Sequence, residues 1–433
     1  MFVSDCLNIN PIGHLTIGDR DTVELAQTFG TPLYVMDENQ IRNSCRSYHQ
    51  SIEKYYGGKG LVAYASKAFC CKAMCKIVAE EGLGLDVVSG GELYTAMSVH
   101  FPAEKIFFHG NNKTVAELTE ALEYGVGCIV VDNLTELEVL NQLAISMGKK
   151  ADIMFRIKPG IDAHTHDFVR TGQIDSKFGL ALETGEAMEA VKLALTLSHI
   201  RLIGLHCHIG SQIFDIEPFE HAAEVMLHFM AEIKKKTGTE LKKLNLGGGF
   251  GIKYIPKNDP VEYDRYMKNV SLVVKKTCKE LNLNTPFVVI EPGRSIAGPA
   301  GITLYKVGAI KDIPGIRTYV SVDGGMADNP RYALYKSEYE AIIANKAGQP
   351  KDMTVTIAGK CCESGDLIGE GMQIQNAAPG DTLAVLATGA YNYSMSSNYN
   401  RIPKPAVVLV NGKEARVIIQ RETFEDIVRN DVE

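Results

Sequence analysis

No stretch of the 433-residue chain is apolar for long enough to cross a bilayer, and its first twenty residues carry one Lys or Arg, Arg20, and no apolar run. On this reading a signal peptide and a transmembrane helix are both excluded, no membrane partner is expected, and the chain is expected to be cytoplasmic. Excess basic charge is also lacking, with 45 Lys and Arg against 52 Asp and Glu. The net charge is −7, and the one basic cluster, Lys234 to Lys236 with Lys242 and Lys243, falls at the end of an amphipathic segment where lysines complement a helix dipole. A nucleic-acid partner is therefore not expected. Paired cysteine spacing is missing as well. There are ten cysteines, but Cys70, Cys71 and Cys75 fall on a predicted helix and Cys361 and Cys362 are adjacent, so no C-x-x-C zinc pattern exists. Reduced thiols, most of them buried as small hydrophobes, are the expected state. Low-complexity tracts are absent too, and 45% hydrophobic with 22% charged residues describes an ordinary globular chain.

From residue 57 onward, short apolar runs alternate with helical stretches. Strands are predicted at 61–66, 84–89, 105–110, 128–133, 152–158, 202–209, 242–247 and 287–291. Eight strands separated by helices predict an α/β fold built on a (β/α)8 barrel. A doubly wound open sheet competes, but no G-x-G-x-x-G turn follows the first strand. Helices are signalled at Thr114 to Tyr124 before Gly125, at Thr135 to Met147 before Gly148, and at Pro218 to Lys236. Beyond about residue 300 the pattern changes to alternating strands, Thr303 to Ile310, Thr318 to Val322, Thr354 to Ile357 and Thr382 to Ala387. A hairpin is predicted around Asn411-Gly412, with a type I′ turn. The segment at the start of the chain, with Asp21 capping a helix to Phe29 and a strand at Pro32 to Met36, has no barrel-type partner. It is assigned to this second, mainly β domain, which becomes discontinuous: 1–36 and 301–433 around a barrel of 37–300.

Several polar residues fall at predicted strand ends, the face on which barrels assemble active sites. Lys67 follows the apolar run Leu61 to Ala65. An ammonium delivered there suits a lysine bound covalently to pyridoxal phosphate, although a strand-end lysine also suits plain solvent exposure. The seventh strand runs into Gly247-Gly248-Gly249-Phe250-Gly251, which suits either a backbone anion nest or a simple turn. Glu291-Pro292-Gly293-Arg294 ends the eighth strand, and its carboxylate can pair with a pyridinium nitrogen or with Arg294. His206 and His208 share one face of the sixth strand. One imidazole can lie against an aromatic ring; a metal site is the rival reading, but it would leave Lys67, the glycine loop and Glu291 without a role.

Taken in order, these segments resemble the diaminopimelate decarboxylases, a group within the fold-type III pyridoxal-phosphate enzymes. The resemblance spans essentially the whole chain and rests on Phe29-Gly30-Thr31-Pro32-Leu33-Tyr34-Val35, Tyr64-Ala65-Ser66-Lys67, Leu85 to Leu93, His206-Cys207-His208-Ile209-Gly210-Ser211-Gln212, the glycine loop, Glu-Pro-Gly-Arg, Cys362-Glu363-Ser364-Gly365-Asp366 and Ser394 to Asn400.

The resemblance implies the barrel plus discontinuous β domain and pyridoxal 5′-phosphate as cofactor, with no metal. It makes Lys67 the Schiff-base lysine, His208 the residue stacked on the ring, and Glu291 the partner of the ring nitrogen. Ser211, Gly247, Gly248, Gly249, Gly293, Arg294 and Tyr391 complete the cofactor site, the phosphate lying among the glycine amides, the 291–294 turn and the Tyr391 hydroxyl. It places Arg294, Arg331, Tyr335, Tyr391 and Glu363 on an amino-acid substrate and makes Cys362 the proton donor. It further implies a homodimer in which Cys362 and Glu363 reach the partner's site. The reaction implied is decarboxylation of meso-2,6-diaminoheptanedioate to L-lysine, the last step of lysine biosynthesis. Two arginines suit a distal carboxylate and Glu363 a distal ammonium. A same-fold decarboxylase for ornithine, arginine or carboxynorspermidine is the alternative. One departure is visible: Tyr332 follows Arg331 where the family has proline.

Overall fold

A parallel sheet buries both faces, and its two edges must be either covered or joined. Here they are joined. The computed structural model describes residues 2–161 and 176–433. Strands Gly60–Ala65, Gly84–Val87, Ile106–Phe108, Cys128–Val131, Ala151–Lys158, Ile200–Cys207, Lys243–Asn245 and Phe287–Ile290 pair in parallel in that order. The eighth returns to the first through Val288↔Gly60, Val289↔Leu61 and Ile290↔Val62. The closed ring excludes the doubly wound alternative. A short strand, Leu180–Ala181, adds to the end of the fifth.

Seven of the eight predicted strands overrun the observed ladder at the carboxyl end, by one or two residues each. The overrunning residues, among them Ser66, His109, Asp132, His208, Gly247 and Glu291, carry strand-like pattern but leave the pairing. Inside the ring, Ala63, Phe107, Cys128, Val130, Met154 and Val289 form an apolar cluster, so the barrel is packed rather than hollow. The helices follow their signals. Val115–Tyr124 opens with a capping box of Thr114 and Glu117 and ends at left-handed Gly125. Glu217–Thr237 buries Phe219, Ala222, Ala223, Met226, Leu227, Met230 and Ile233 on one stripe. Each large side chain so buried is worth about 1.5–3 kcal/mol.

The contacts divide the chain into Ser44–Gly251 with Pro260–Gly293, which holds the barrel, and Met1–Asn43 with Ile252–Asp259 and Arg294–Glu433. The divides read from sequence at 36/37 and 300/301 thus compare with 43/44 and 293/294, and segment 252–259 joins the second unit. That unit is built on one mixed sheet in the order Leu367–Ile374, Met353–Ala358, Arg317–Val322, Gly301–Ile313, Leu33–Asp37, Ala406–Asn411, Glu414–Ile419. Leu33–Asp37 lies between two strands from the far end of the sequence, antiparallel to Gly301–Ile313 and parallel to Ala406–Asn411. Without those two ladders its backbone N–H and C=O groups would be unpaired in a core, so the two ends of the chain must fold together. Thr382–Val385 pairs with Gly301–Ile313 and with Ala341–Ile343.

Two local expectations change. The hairpin turn is centred on Gly412 and Lys413, because Asn411 still pairs with Glu414. Only the first central residue, Gly412, has positive φ (57°), the pattern of a type II′ rather than a type I′ turn. Cys70 and Cys71 precede the helix Lys72–Glu80 instead of lying on it, and the Cys71 sulfur caps it by accepting from the Met74 N–H.

Candidate active site at the carboxyl ends of the barrel strands

Each barrel strand hands a polar residue to the same end of the ring. In chain order these are Lys67, Asp86, His109, Asp132, Arg156, His206 with His208, Asn245 and Glu291. Lys67 sits in a 3₁₀ turn directly after the first strand. Its side chain is 41% exposed, and its ammonium lies 3.0 Å from Oδ2 of the fully buried Asp86 side chain. The ammonium is therefore neither buried nor unpaired: the first turn after the strand ends the apolar run and turns the lysine toward the mouth. Ser66 and the Val88 amide both bond Glu92 Oε2, at 2.6 and 2.8 Å, tying the first two strand ends together. Burial pushes the Glu92 carboxyl up.

The buried Glu291 carboxylate is held by three donors. His109 Nε2 donates to Oε1 at 2.7 Å, Asn245 Nδ2 to Oε1 at 2.6 Å, and His206 Nε2 to Oε2 at 3.2 Å. A carboxylate only accepts, so each imidazole must carry its hydrogen on Nε2. Burial works to raise the Glu291 pKa, but His109 and His206 outweigh it and hold the group well below the usual carboxylate range. His206 is itself kept neutral by burial, its pKa pushed down to about 4. Its Nδ1 is buried with no hydrogen-bond partner. His109, His206 and Glu291 present ligand atoms within 4.8 Å of one another, but those atoms are joined by the hydrogen bonds just described.

His208, just past the sixth strand, accepts from the Gly248 N–H at 3.3 Å. Desolvation, reinforced by the Arg156 and Lys67 charges, keeps it neutral. The Arg156 guanidinium lies 4.2 Å over the Phe178 ring. The glycine loop is close-packed. A Cβ on Gly248 would stand 2.0 Å from the Glu291 carbonyl oxygen, and one on Gly247 would stand 2.6 Å from that of Cys207, at a φ of 68°. No other residue fits either position. Ser211 lies in the loop after His208, and Gly293 packs on Ala65. Lys67, His109, Gly110, Arg156, His208 and Glu291 line a cavity of about 340 Å³ at this end of the barrel.

The second unit gathers a separate cluster. The buried Arg294 donates to the Tyr254 hydroxyl at 2.5 Å and lies 4.7 Å over the Tyr391 ring. Arg331, also buried, lies 5.4 Å from the ring centres of both Tyr335 and Tyr391 and donates to Ser337. Arg294, Arg331, Tyr335 and Tyr391 therefore come together within this unit. Cys362 and Glu363 belong to another feature, an exposed loop. Both oxygens of the buried Asp366 accept from that region, from the Met326 N–H at 2.5 Å and the Cys361 N–H at 2.7 Å, while the Cys362 N–H donates to Asn400. Tyr332 donates to Glu370 on the strand Leu367–Ile374. The hydroxyl gives this residue an anchor that proline would lack.

Sequence reasoning assigned no role to Asp86, His109, Arg156 or Asn245. Their signal was present: in each case a polar side chain interrupts an apolar run near the carboxyl end of a strand, as in Phe107-Phe108-His109 and Leu244-Asn245.

Known proteins place this arrangement. The family model described as "Pyridoxal-dependent decarboxylase, pyridoxal binding domain" matches residues 38–298. The diaminopimelate decarboxylase of Bacillus subtilis (strain 168) is 50% identical over 432 residues, covering 100% of this chain and 98% of that protein. That of Bacillus methanolicus is 50% identical over 98% of both chains. The crystal structure of the M. jannaschii diaminopimelate decarboxylase in complex with L-lysine superposes with a TM-score of 0.92 at 37% identity, covering 100% of this chain and 99% of that one.

Proposed function

The chain belongs to the diaminopimelate decarboxylases, within the pyridoxal-dependent decarboxylases, and from that membership we propose that it converts meso-2,6-diaminoheptanedioate to L-lysine and CO2. The observation that carries the reading is identity of about half the residues over the full length of curated relatives with that activity in their name. The chemistry of the barrel end fits the cofactor. Glu291 has three of its roughly four acceptor positions engaged, which leaves room on Oε2 for one more donor such as a ring N–H. The glycine loop offers backbone to an anion where a Cβ would not fit. Bound pyridoxal phosphate supplies an electron sink for the charge left when a carboxylate departs as CO2.

The residues then take these roles. Lys67 would hold the cofactor through its amine, which Asp86 Oδ2 orients from 3.0 Å. Glu291, held ionised, would accept from the ring nitrogen, His208 would contact the ring, and Ser211, Gly247 to Gly249, Gly293, Arg294 and Tyr391 would hold the cofactor's polar groups. Arg294, Arg331, Tyr335, Tyr391 and Glu363 recognise the substrate's charged ends, and the Cys362 Sγ–H gives a proton to the carbon that has lost its carboxylate. Exposure of Cys362 and Glu363 supports their delivery to the site of a second copy of the chain. Among the described residues no helix is long and apolar enough to cross a membrane, which supports a cytoplasmic enzyme.

Specificity provides the test. A site built around a distal carboxylate rejects analogues lacking it by about 10⁴ to 10⁵. The holoenzyme should therefore consume meso-diaminopimelate and leave L-lysine, L-ornithine and L-arginine untouched over the same period. Comparable turnover of any of the three would overturn the substrate assignment while leaving the cofactor in place.

A further inference from the structure

Asn245 is fully buried at the end of the seventh barrel strand, between His206 on one neighbouring strand and Val289 on the other. Both halves of its amide are committed. Nδ2 donates to Glu291 Oε1 at 2.6 Å, and Oδ1 accepts the Gly247 N–H at 2.9 Å. The two partners fix the amide's orientation, since a carboxylate only accepts and a backbone N–H only donates. One side chain thus bridges the carboxylate that ends the eighth strand and the first amide of the glycine loop. The main chain adds a parallel link, with Glu291 N–H donating to the Gly247 carbonyl at 2.8 Å. His109 and His206 contact Glu291 but show no bond to the loop.

We propose that Asn245 is a positioning residue that sets the glycine loop and the Glu291 carboxylate in register, so that the phosphate end and the ring-nitrogen end of one cofactor are recognised at a fixed separation. The inference rests on the cofactor reading above. Asn245 acts through Glu291 and Gly247. A strand-end asparagine that merely satisfied buried backbone would need only its Oδ1 bond. The donor aimed at Glu291 sets this one apart. In a dry site such a donor also fixes which lone pair of the carboxylate remains for the cofactor.

The test uses Asn245→Leu, which keeps the branching of the side chain and removes both bonds, alone and combined with Glu291→Gln. Cofactor affinity is measured by absorbance titration of stripped protein without substrate, and kcat and KM are measured on reloaded protein. We expect Asn245→Leu to weaken cofactor binding and lower kcat by roughly tenfold to a hundredfold, the span typical of partners that orient a ligating group, with KM for meso-diaminopimelate unchanged. In the Glu291→Gln background the same substitution should lower kcat by a clearly smaller factor than in wild type, because its action through Glu291 is already lost and only its hold on the Gly247 amide remains. Additive effects on kcat, or wild-type cofactor affinity and kcat in the single variant, would overturn the proposal. If Asn245→Leu does not give a folded protein by circular dichroism, Asn245→Ser enters the same cycle with the same two criteria. Weakened cofactor binding in a series whose wild type releases no CO2 from meso-diaminopimelate would uphold Asn245 and sink the substrate reading.

Discussion

Lys67 shows what a single residue can and cannot reveal from sequence. Its place at a strand end was readable; the buried Asp86 that pairs with it at 3.0 Å was not, because a carboxylate inside an apolar run gives no sign of its partner until the strands are laid side by side. Replacing Lys67 by Ala should remove the visible absorbance band of covalently held cofactor and nearly all turnover; full activity would refute its role. Cys362→Ala should keep the cofactor and slow turnover, whereas an unchanged rate would assign the proton to another donor. The imidazoles make a third prediction. His206 is held neutral in the fold, its pKa depressed from 6.5 to about 4, so the unfolded chain takes up a proton first. The stability this contributes is complete above pH 6.5 and is lost as pH falls toward 4, at about 1.4 kcal/mol for each pH unit crossed between the two values. Asp328, whose carboxyl burial raises to about 7, acts in the opposite sense over much of the same window. The contribution is therefore read as a difference: urea unfolding of His206→Phe should lose less stability than wild type between pH 7 and pH 5. Parallel losses would mean that His206 titrates alike in both states.

At the scale of elements, the barrel strands and helices were legible because hydrophobic period and caps agree. The capping box at Thr114 is an example, and its Glu117 also accepts the Gly90 N–H, at 2.7 Å. Thr114→Ala should cost about 1 kcal/mol by denaturant titration. No measurable loss would show that the tie to Gly90 alone holds the helix start. The elements that escaped prediction had weak local signals. Leu367–Ile374 carries two glycines and follows the polar Cys362 to Asp366 loop, and Ala341–Ile343 is too short to show a period. The hairpin was found but its turn misplaced, because strand pairing runs through Asn411 and moves the bend one residue on, a matter of register that composition does not encode. The strand ends were legible as positions and illegible as a network. Asn245, His109 and Glu291 are far apart in the chain and meet only because the ring closes.

For the whole molecule, the pairing of Leu33–Asp37 with strands from the other end of the sequence explains why neither terminal segment reads as a domain by itself. The proposed sharing of Cys362 and Glu363 between subunits carries its own test. Lys67→Ala and Cys362→Ala chains, each inactive or slow alone, should recover about a quarter of wild-type activity when mixed and allowed to exchange, since half the dimers would be mixed and each would hold one intact site. No recovery on demonstrated exchange would confine each site to a single chain. The central claim is more direct still. Purified, pyridoxal-phosphate-loaded protein given meso-diaminopimelate as sole substrate should release CO2 and L-lysine in equal amounts, and Lys67→Ala should release neither. Absence of both products from the loaded wild-type enzyme, or CO2 unaccompanied by L-lysine, would contradict the account.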